Sequence, residues 1–356
     1  MARLHWTGAE TGHADELGLT VISGSNVSVA VVASNPAPRS GVYCYKAIAG
    51  QASGAVAYKR YALASAVTEI LHRIAYAFTP YDPTDVLTVY RNVDSADGVQ
   101  LSITWKPSDG LLRAYRGTSG GTLLGTSTTQ LAANTWCVVQ IRHLVHNSTG
   151  VVEVWVNGNK EIDFSGDTQN TANENLAKYD VGVVQHTATS GASWVAWDDL
   201  ATNDKSGAAQ NGLPADGAVL LLKPSGNGNS SQLDGSDGNQ VDNYALVDEV
   251  PPSTTDYVYS DTQDEQDTYV LEDVPSPYNA VRLVQPIAYA ALAAAGTGAL
   301  RMVLRSGGTD YADAADQSLG TTYAFVQGDL RYVDPADSNA WTPAKVNALE
   351  CGPRVR

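Results

Sequence analysis

The fold class is decided by the stretch Val99-Gln100-Leu101-Ser102-Ile103-Thr104-Trp105 and, after a glycine-containing turn, Leu111-Leu112-Arg113-Ala114-Tyr115. Similar short runs of β-branched and aromatic residues recur at 134–142, 150–158 and 194–204. Gly, Asn, Asp and Ser separate these runs at regular spacing, as the turns of antiparallel sheets require. The pattern therefore predicts a β-sandwich.

The order of these segments resembles the laminin-G/pentraxin type of concanavalin A-like jelly roll. In that family a strand of the form Trp-x-x-Val-x-Ile, matched here at 136–141, precedes a hairpin strand ending Val-x-Val-Trp-Val-Asn-Gly, matched at 152–158. A late strand of the family carries an acidic pair, matched by Asp198 and Asp199. The resemblance covers roughly the first two hundred residues and implies a fold more than a function, because one fold hosts many functions.

We expect an all-β protein of two tandem antiparallel β-sandwich (jelly-roll) domains. The first is a laminin-G-like, concanavalin A-like jelly roll at residues 1–205, and the second is a sandwich at 219–356. Residues 206–218 are rich in Gly, Ala, Asn and Pro without periodicity, which predicts a linker. Residues 66–78 have a helix-like composition, but their second half alternates, so we interpret them as a strand. In the second domain, residues 280–284 form a strand-length alternating run and are likewise expected to be a strand.

The two-domain order also resembles minor virion proteins of tailed bacteriophages. The resemblance is carried by Trp6-x-Gly8-x-Glu10-x-Gly12 at the start and by the terminal phrase at 339–352. It implies a structural component of the particle, a tail or capsid accessory or adhesion protein. Its partners would be other virion proteins, further copies of itself and a host surface glycan. The alternative is a free carbohydrate-binding, lectin-like protein.

Charge and composition exclude several partners. The formal net charge is −16, whereas nucleic-acid binding needs Lys and Arg stripes that displace counterions. No apolar run is long enough to span a membrane, so we expect no membrane insertion. The N-terminus lacks the features of a signal peptide, which predicts synthesis in the host cytoplasm and a final location in the virion. Three scattered Cys form no disulfide framework.

The sequence predicts no enzymatic activity. Glycoside hydrolases need two carboxylates in one cleft, and the nearest candidates are Glu153 alone and the pair Glu161 and Asp163. The pair follows a turn, which favours a solvated hairpin edge. No nucleophile elbow or phosphate-binding loop is present. His143 and His146 are expected in an exposed loop and not at a zinc site.

One segment has oxygen-bearing side chains at the spacing that suits calcium. Asp234, Asp237, Asn239 and Asp242 alternate with glycines, although the segment lacks the Glu at position twelve of an EF-hand loop. The same residue types are also ordinary turn chemistry. We expect no cofactor other than calcium at these four residues.

Aromatic and acidic residues give three further expectations. Tyr257, Tyr259 and Tyr269 lie in strand-like acidic sequence. Most of these rings are expected to be half-buried in a sheet, and some are candidates for a glycan- or protein-binding face. Trp136 and Trp155 are expected to pack into or against the first core. Alternation places Trp155 opposite Val152, Val154 and Val156, so Trp155 lies on the outer face or in the concave groove if the valines fill the core. Asp198 or Asp199 is expected to bond neighbouring loops in preference to calcium.

Overall fold

The computed structural model describes residues 3–50, 52–79, 82, 84–187 and 193–356. The chain divides into two compact units, Met1–Leu220 and Leu221–Arg356. Regular structure in both units is almost entirely antiparallel β-strand, which confirms the all-β class. No helix in the described part of the chain is long and apolar enough to cross a membrane.

Two antiparallel sheets form the first unit. The strands are β1 (Arg3–Thr7), β2 (Leu19–Ser23), β3 (Ser28–Val32), β4 (Cys44–Ile48), β5 (Val56–Val67), β6 (Glu69–Thr79), β7 (Leu87–Val93), β8 (Val99–Lys106), β9 (Leu111–Arg116), β10 (Thr122–Thr126), β11 (Cys137–Leu144), β12 (Gly150–Val156), β13 (Asn159–Gly166), β14 (Leu176–Gln185) and β15 (Trp194–Asn203). Sheet A has the order β13-β12-β11-β6-β15-β4-β3, with β1 also paired to β15. Sheet B has the order β10-β9-β8-β7-β14-β5-β2.

The core of this unit lies between the two sheets. Alternation along β12 buries Val152, Val154 and Val156 completely, because every second side chain of a strand points to the same face. Phe78 of sheet A stacks on Trp105 of sheet B with ring centroids 4.7 Å apart. The first unit is therefore a β-sandwich, and the strand interpretation of 66–78 is confirmed by β6.

Residues 206–218, expected to be a linker, lie against the first unit. Backbone carbonyls of this segment accept hydrogen bonds from the side chains of Arg73, Gln140 and Asn203 at 2.9, 2.7 and 2.7 Å. Arg73 and Gln140 project from the outer face of sheet A, where a polar side chain needs a partner if it is covered. Glycine and proline therefore allow this segment to follow an irregular path over sheet A. The first unit ends after it, at Leu220.

The second unit is built around one antiparallel sheet. Its strands are β16 (Pro224–Ser231), β17 (Asp234–Gly235), β18 (Val258–Tyr259), β19 (Asp267–Leu271), β20 (Ile287–Ala290), β21 (Ala299–Ser306), β22 (Thr309–Ala312), β23 (Gln317–Ser318), β24 (Ala324–Gln327) and β25 (Glu350–Val355), with a short helix α1 (Pro343–Val346). Six strands form a sheet of order β16-β19-β25-β21-β22, with β23 paired to β21. The remaining strands form the ribbons β17–β18 and β20–β24.

Two sequence expectations about packing need correction. Residues 280–284 read as a strand, but only Val284 makes an isolated bridge, to Arg331. Trp136 precedes β11 and is only partly buried, and its indole N–H donates to the Ala37 carbonyl at 2.9 Å. The residues after it fill the core instead, because Cys137 begins the pairing of β11 with β6. The valines of β12 fill the core, so Trp155 lies on the other face of the strand, beside Lys160.

Candidate functional site

The four residues predicted for calcium make local turn contacts. Asp237 accepts hydrogen bonds from the backbone and side-chain nitrogens of Asn239 at 3.1 and 2.5 Å. Asp234 accepts one from the Gln240 side chain at 2.7 Å, and Asp242 precedes a single 3₁₀ turn. Within the described residues, no group of three or more His, Cys, Asp or Glu side chains is arranged to hold a metal. Calcium binding here stays a prediction.

Asp198 and Asp199 fasten loops to sheet A. Asp199 has a φ of +51° in a break of the strand pairing, so it departs from regular alternation. Its carboxylate accepts from the Arg39 guanidinium and from the Val219 backbone, both at 2.7 Å, while that of Asp198 accepts from the Arg39 backbone at 2.9 Å. Burial, then the neighbouring Asp199, raises the pKa of Asp198 to about 7. The pair has the loop-bonding role expected from the sequence.

The outer face of sheet B, which points away from sheet A, carries a continuous set of polar side chains. Leu101, Ile103 and Trp105 of β8 are buried in the core, so alternation directs Ser102 and Thr104 outward. Strand pairing then places one residue of each strand in a single line across the sheet, which we call the outer row. The outer row consists of Leu19, Arg60, Asp180, Arg91, Ser102, Tyr115 and Leu123.

Two arginines share one carboxylate at the centre of the outer row. Arg60 donates to both oxygens of Asp180 at 2.7 and 3.0 Å, and Arg91 donates to the same carboxylate from the other side. Arg91 also donates to the Tyr58 hydroxyl at 3.0 Å and lies 5.2 Å from the centre of that ring. These contacts fix both guanidinium groups in position, and the Asp180 carboxylate raises the pKa of Arg60.

A glycine allows the backbones of β14 and β5 to approach closely beside Tyr58. Gly182 pairs with Tyr58 and has a φ of +131°. A Cβ at that position would lie 2.9 Å from the Tyr58 Cα and 2.8 Å from the Ala57 carbonyl oxygen. Only glycine adopts this backbone conformation without strain, so the shape of the face depends on it.

Two buried hydroxyls lie next to the outer row, on Thr104 two residues after Ser102 and on Thr88 three residues before Arg91. Thr88 and Thr104 are directly paired, and both side chains are buried. Among the residues that the structure describes, neither Oγ1 has a hydrogen-bond partner. A buried hydroxyl without a partner costs stability, so such groups in a native protein usually bind water or a ligand.

Further polar groups border this face. Arg113 pairs with Thr104 across the strands and donates to the Asp109 carboxylate, a hydrogen bond that lowers the pKa of Asp109. In the turn between β9 and β10, the Ser119 hydroxyl donates to the Gln185 side chain of β14 at 3.4 Å. Donors, acceptors and the Tyr115 ring therefore surround one continuous surface of the sandwich.

Sequence reasoning missed this surface. Arg60, Arg91 and Asp180 lie in strands that carry other polar residues as well, so each by itself indicates only an outward-facing position. Their assembly depends on the order of strands β5, β14 and β7, and no local pattern encodes that order.

The residues considered for catalysis are engaged elsewhere. Glu153 accepts from Arg142 and Lys160 at 3.3 and 2.8 Å. Glu161 accepts from the Thr129 and Thr128 hydroxyls, and these bonds lower its pKa to about 2. The absence of enzymatic activity stays a prediction.

One histidine was misplaced by the sequence analysis. His143, expected in an exposed loop, is an inward-facing residue of β11 and is buried. Its position continues the strand alternation through Val139 and Ile141, so the strand extends further than its apolar residues indicate. His146 lies beyond the strand and accepts from the backbone of Ser148 and Thr149 at 3.1 and 3.0 Å.

The second unit carries a separate group of aromatic rings. Tyr257 and Tyr259 are exposed and meet edge to face with centroids 6.0 Å apart. Tyr289 stacks on Tyr323 with centroids 5.3 Å apart. Tyr269, in contrast, is buried and donates to Asp267 at 2.9 Å.

Comparisons with known proteins give fold-level similarities only. No family model matches the chain, and no curated protein matches it. Among solved structures, "Cellulose induced protein, Cip1" is 12% identical with a TM-score of 0.45, over 60% of this chain and 100% of its own. Alginate lyase Aly36B is 12% identical with a TM-score of 0.39, over 56% and 93%. Carbohydrate-binding module CBM66 from Bacillus subtilis is 6% identical with a TM-score of 0.33, over 53% and 97%.

Proposed function

We propose that the first unit binds an oligosaccharide along the outer face of sheet B. The observation that carries this proposal is the outer row, in which guanidinium groups, hydroxyls and a tyrosine ring share one surface. Sugars offer hydroxyl groups to hydrogen-bonding side chains and apolar ring faces to aromatic ones. The Asp180 carboxylate holds Arg60 and Arg91 in place before any ligand arrives, which reduces the entropy lost on binding.

The dimensions of the sheet agree with an extended ligand. Seven strands cross this face, and neighbouring strands lie about 4.8 Å apart, so the outer row is long enough for several sugar rings. The hydroxyls of Thr88 and Thr104 are buried, so they would contribute to binding only through a water that bridges to the ligand. The proposal is therefore the lectin-like alternative, now with a defined surface.

The role in a bacteriophage particle stays a prediction. It rests on the sequence resemblance at 6–12 and 339–352 and does not compete with glycan binding, because an adhesion protein performs both tasks. Copurification of the chain with assembled particles would support it, and a chain that never copurifies with particles would contradict it.

Truncation of one ring tests the proposed surface. We expect Tyr115→Ala to weaken binding to an oligosaccharide selected from a glycan array about tenfold or more, because a stacked ring contributes about 1 kcal/mol beyond its buried area. Titration calorimetry measures the affinity, and an unchanged melting temperature shows that the fold is intact.

Tyr259→Ala is the matched control, since Tyr259 is an exposed tyrosine of the second unit. It should leave affinity unchanged. If Tyr259→Ala abolishes binding and Tyr115→Ala does not, the site lies in the second unit and the proposal is wrong. A glycan array on which the intact chain binds nothing would also contradict it.

A further inference from the structure

The outer row presents positive charge outward and keeps its negative charge inside. The side chains of Arg60 and Arg91 are each 22% exposed, whereas that of Asp180 is 0% exposed. A ligand approaching this face meets two guanidinium groups before it meets the carboxylate that neutralises one of them. The local charge is therefore positive, in a chain whose formal net charge is −16.

Neighbouring charges on the same face do not reverse this excess. Arg113 pairs with Asp109, whereas the exposed carboxylate of Asp97 accepts from both Lys178 at 2.7 Å and Arg60 at 3.2 Å. The face thus holds four cationic side chains and three carboxylates, which are Arg60, Arg91, Arg113 and Lys178 with Asp97, Asp109 and Asp180. The excess positive charge lies in the group of Arg60, Arg91 and Lys178, which shares the two carboxylates of Asp97 and Asp180.

At the centre of the outer row, Arg91 keeps an N–H group that could donate a hydrogen bond to a ligand. Arg91 uses Nε on Asp180 and Nη2 on Tyr58, and within the described residues its Nη1 has no hydrogen-bond partner. A guanidinium edge with free N–H groups matches the planar geometry of a carboxylate, and charge-assisted bonds of this kind are about twice as strong as neutral ones. A neutral sugar hydroxyl would use less of this capacity.

We propose that the ligand of the outer row is an acidic polysaccharide whose uronic acid carboxylate lies against the Arg60–Arg91 pair. This inference rests on the oligosaccharide-binding function proposed above and adds the chemical class of the ligand. Asp180 beneath the pair prevents the guanidinium groups from turning away, so their orientation is set before binding.

The experiment compares polymers that differ only at the carboxyl group. Polygalacturonate, alginate and hyaluronan are each tested beside the same polymer after reduction of its carboxyl groups to primary alcohols, together with neutral glucans and dextran sulfate. We expect the intact chain to bind at least one acidic polymer ten times or more as tightly as its reduced form. Added sodium chloride should weaken that binding, because salt screens exposed charges.

Two variants locate the effect. Arg91→Gln should lower affinity for the acidic polymer about tenfold or more and lower affinity for its reduced form several times less, so that the preference for the carboxylate is reduced. Arg301→Gln is the control, since Arg301 is a comparably exposed arginine of the second unit that pairs with Asp316 at 2.7 Å. Arg91→Lys keeps the charge and should retain part of the affinity for the acidic polymer. It takes the place of Arg91→Gln in the experiment if Arg91→Gln unfolds the protein.

The outcomes separate this inference from the proposed function. Equal binding to acidic and reduced polymers, or binding to neutral glucans alone, would overturn the acidic ligand while leaving the oligosaccharide site in place. Binding to dextran sulfate as tight as to the uronates would show that charge alone is recognised and would overturn the carboxylate assignment. No binding to any polymer would overturn both proposals.

Discussion

Three histidines of the first unit, His5, His72 and His143, are buried in the core between the sheets. His5 contacts the Tyr179 hydroxyl at 3.0 Å, and His72 contacts the Thr202 hydroxyl at 2.9 Å. Burial lowers the pKa of each of the three imidazoles to about 3. They are therefore neutral in the folded protein at neutral pH. Their adjacency could not be predicted, since it depends on how β1, β6 and β11 meet.

Acid should destabilise the first unit through these histidines. An unfolded histidine takes up a proton below about pH 6.5, whereas the folded one remains neutral down to about pH 3. Stability therefore falls by about 1.4 kcal/mol per pH unit for each histidine between those values. We expect His72→Gln to reduce the slope of unfolding free energy against pH by that amount, measured by urea denaturation from pH 6.5 to 4.

Buried carboxyl groups change the stability in the opposite direction as the pH falls, so the slope of the parent has to be compared with that of the variant. Burial raises the pKa of Glu10 to about 8 and that of Asp198 to about 7, and both groups stabilise the fold as pH falls towards 4.5. The difference between parent and His72→Gln removes their contribution. His13→Gln, at a partly exposed position, is the control. Identical slopes for parent and His72→Gln would contradict the prediction.

At the level of elements, the alternation of apolar and polar residues was sufficient to predict a strand where one face of that strand is buried. It predicted the strands around 99–105 and 150–156, because apolar residues such as valine, isoleucine and tryptophan occur there at every second position. It failed at 280–284, where an apolar run packs without strand pairing. It also misplaced Trp136, since the strand begins one residue later and its ring lies outside the paired region.

Strand β12 offers a direct test of which face is the core. We expect Val154→Ala to destabilise the first unit by about 2 kcal/mol, since it removes buried methyl groups and leaves a cavity. Trp155→Ala should cost less although it removes more atoms, because the ring lies on the outer face over Lys160. Urea denaturation of the two variants gives both values. A larger loss for Trp155→Ala would reverse the face assignment.

At the level of the whole molecule, the sequence predicted the class and missed the surface that carries the proposed function. Arg60 and Asp180 are separated by 120 residues, and Arg91 and Asp180 by 89. Each lies in a strand whose own pattern is uninformative about its partners. Strand order brings them together, and that order is a property of the complete sandwich.

The extent of the first unit yields a final prediction. Residues 206–218 lie on sheet A, and Val219 donates its N–H to the buried carboxylate of Asp199 at 2.7 Å. A fragment ending at residue 204 would lose the hydrogen bonds of Arg73, Gln140 and Asp199 to this segment, at about 1 kcal/mol for each bond exchanged for water. We therefore expect fragment 1–220 to unfold at a higher urea concentration than fragment 1–204. Equal midpoints would show that 206–218 is a free linker after all.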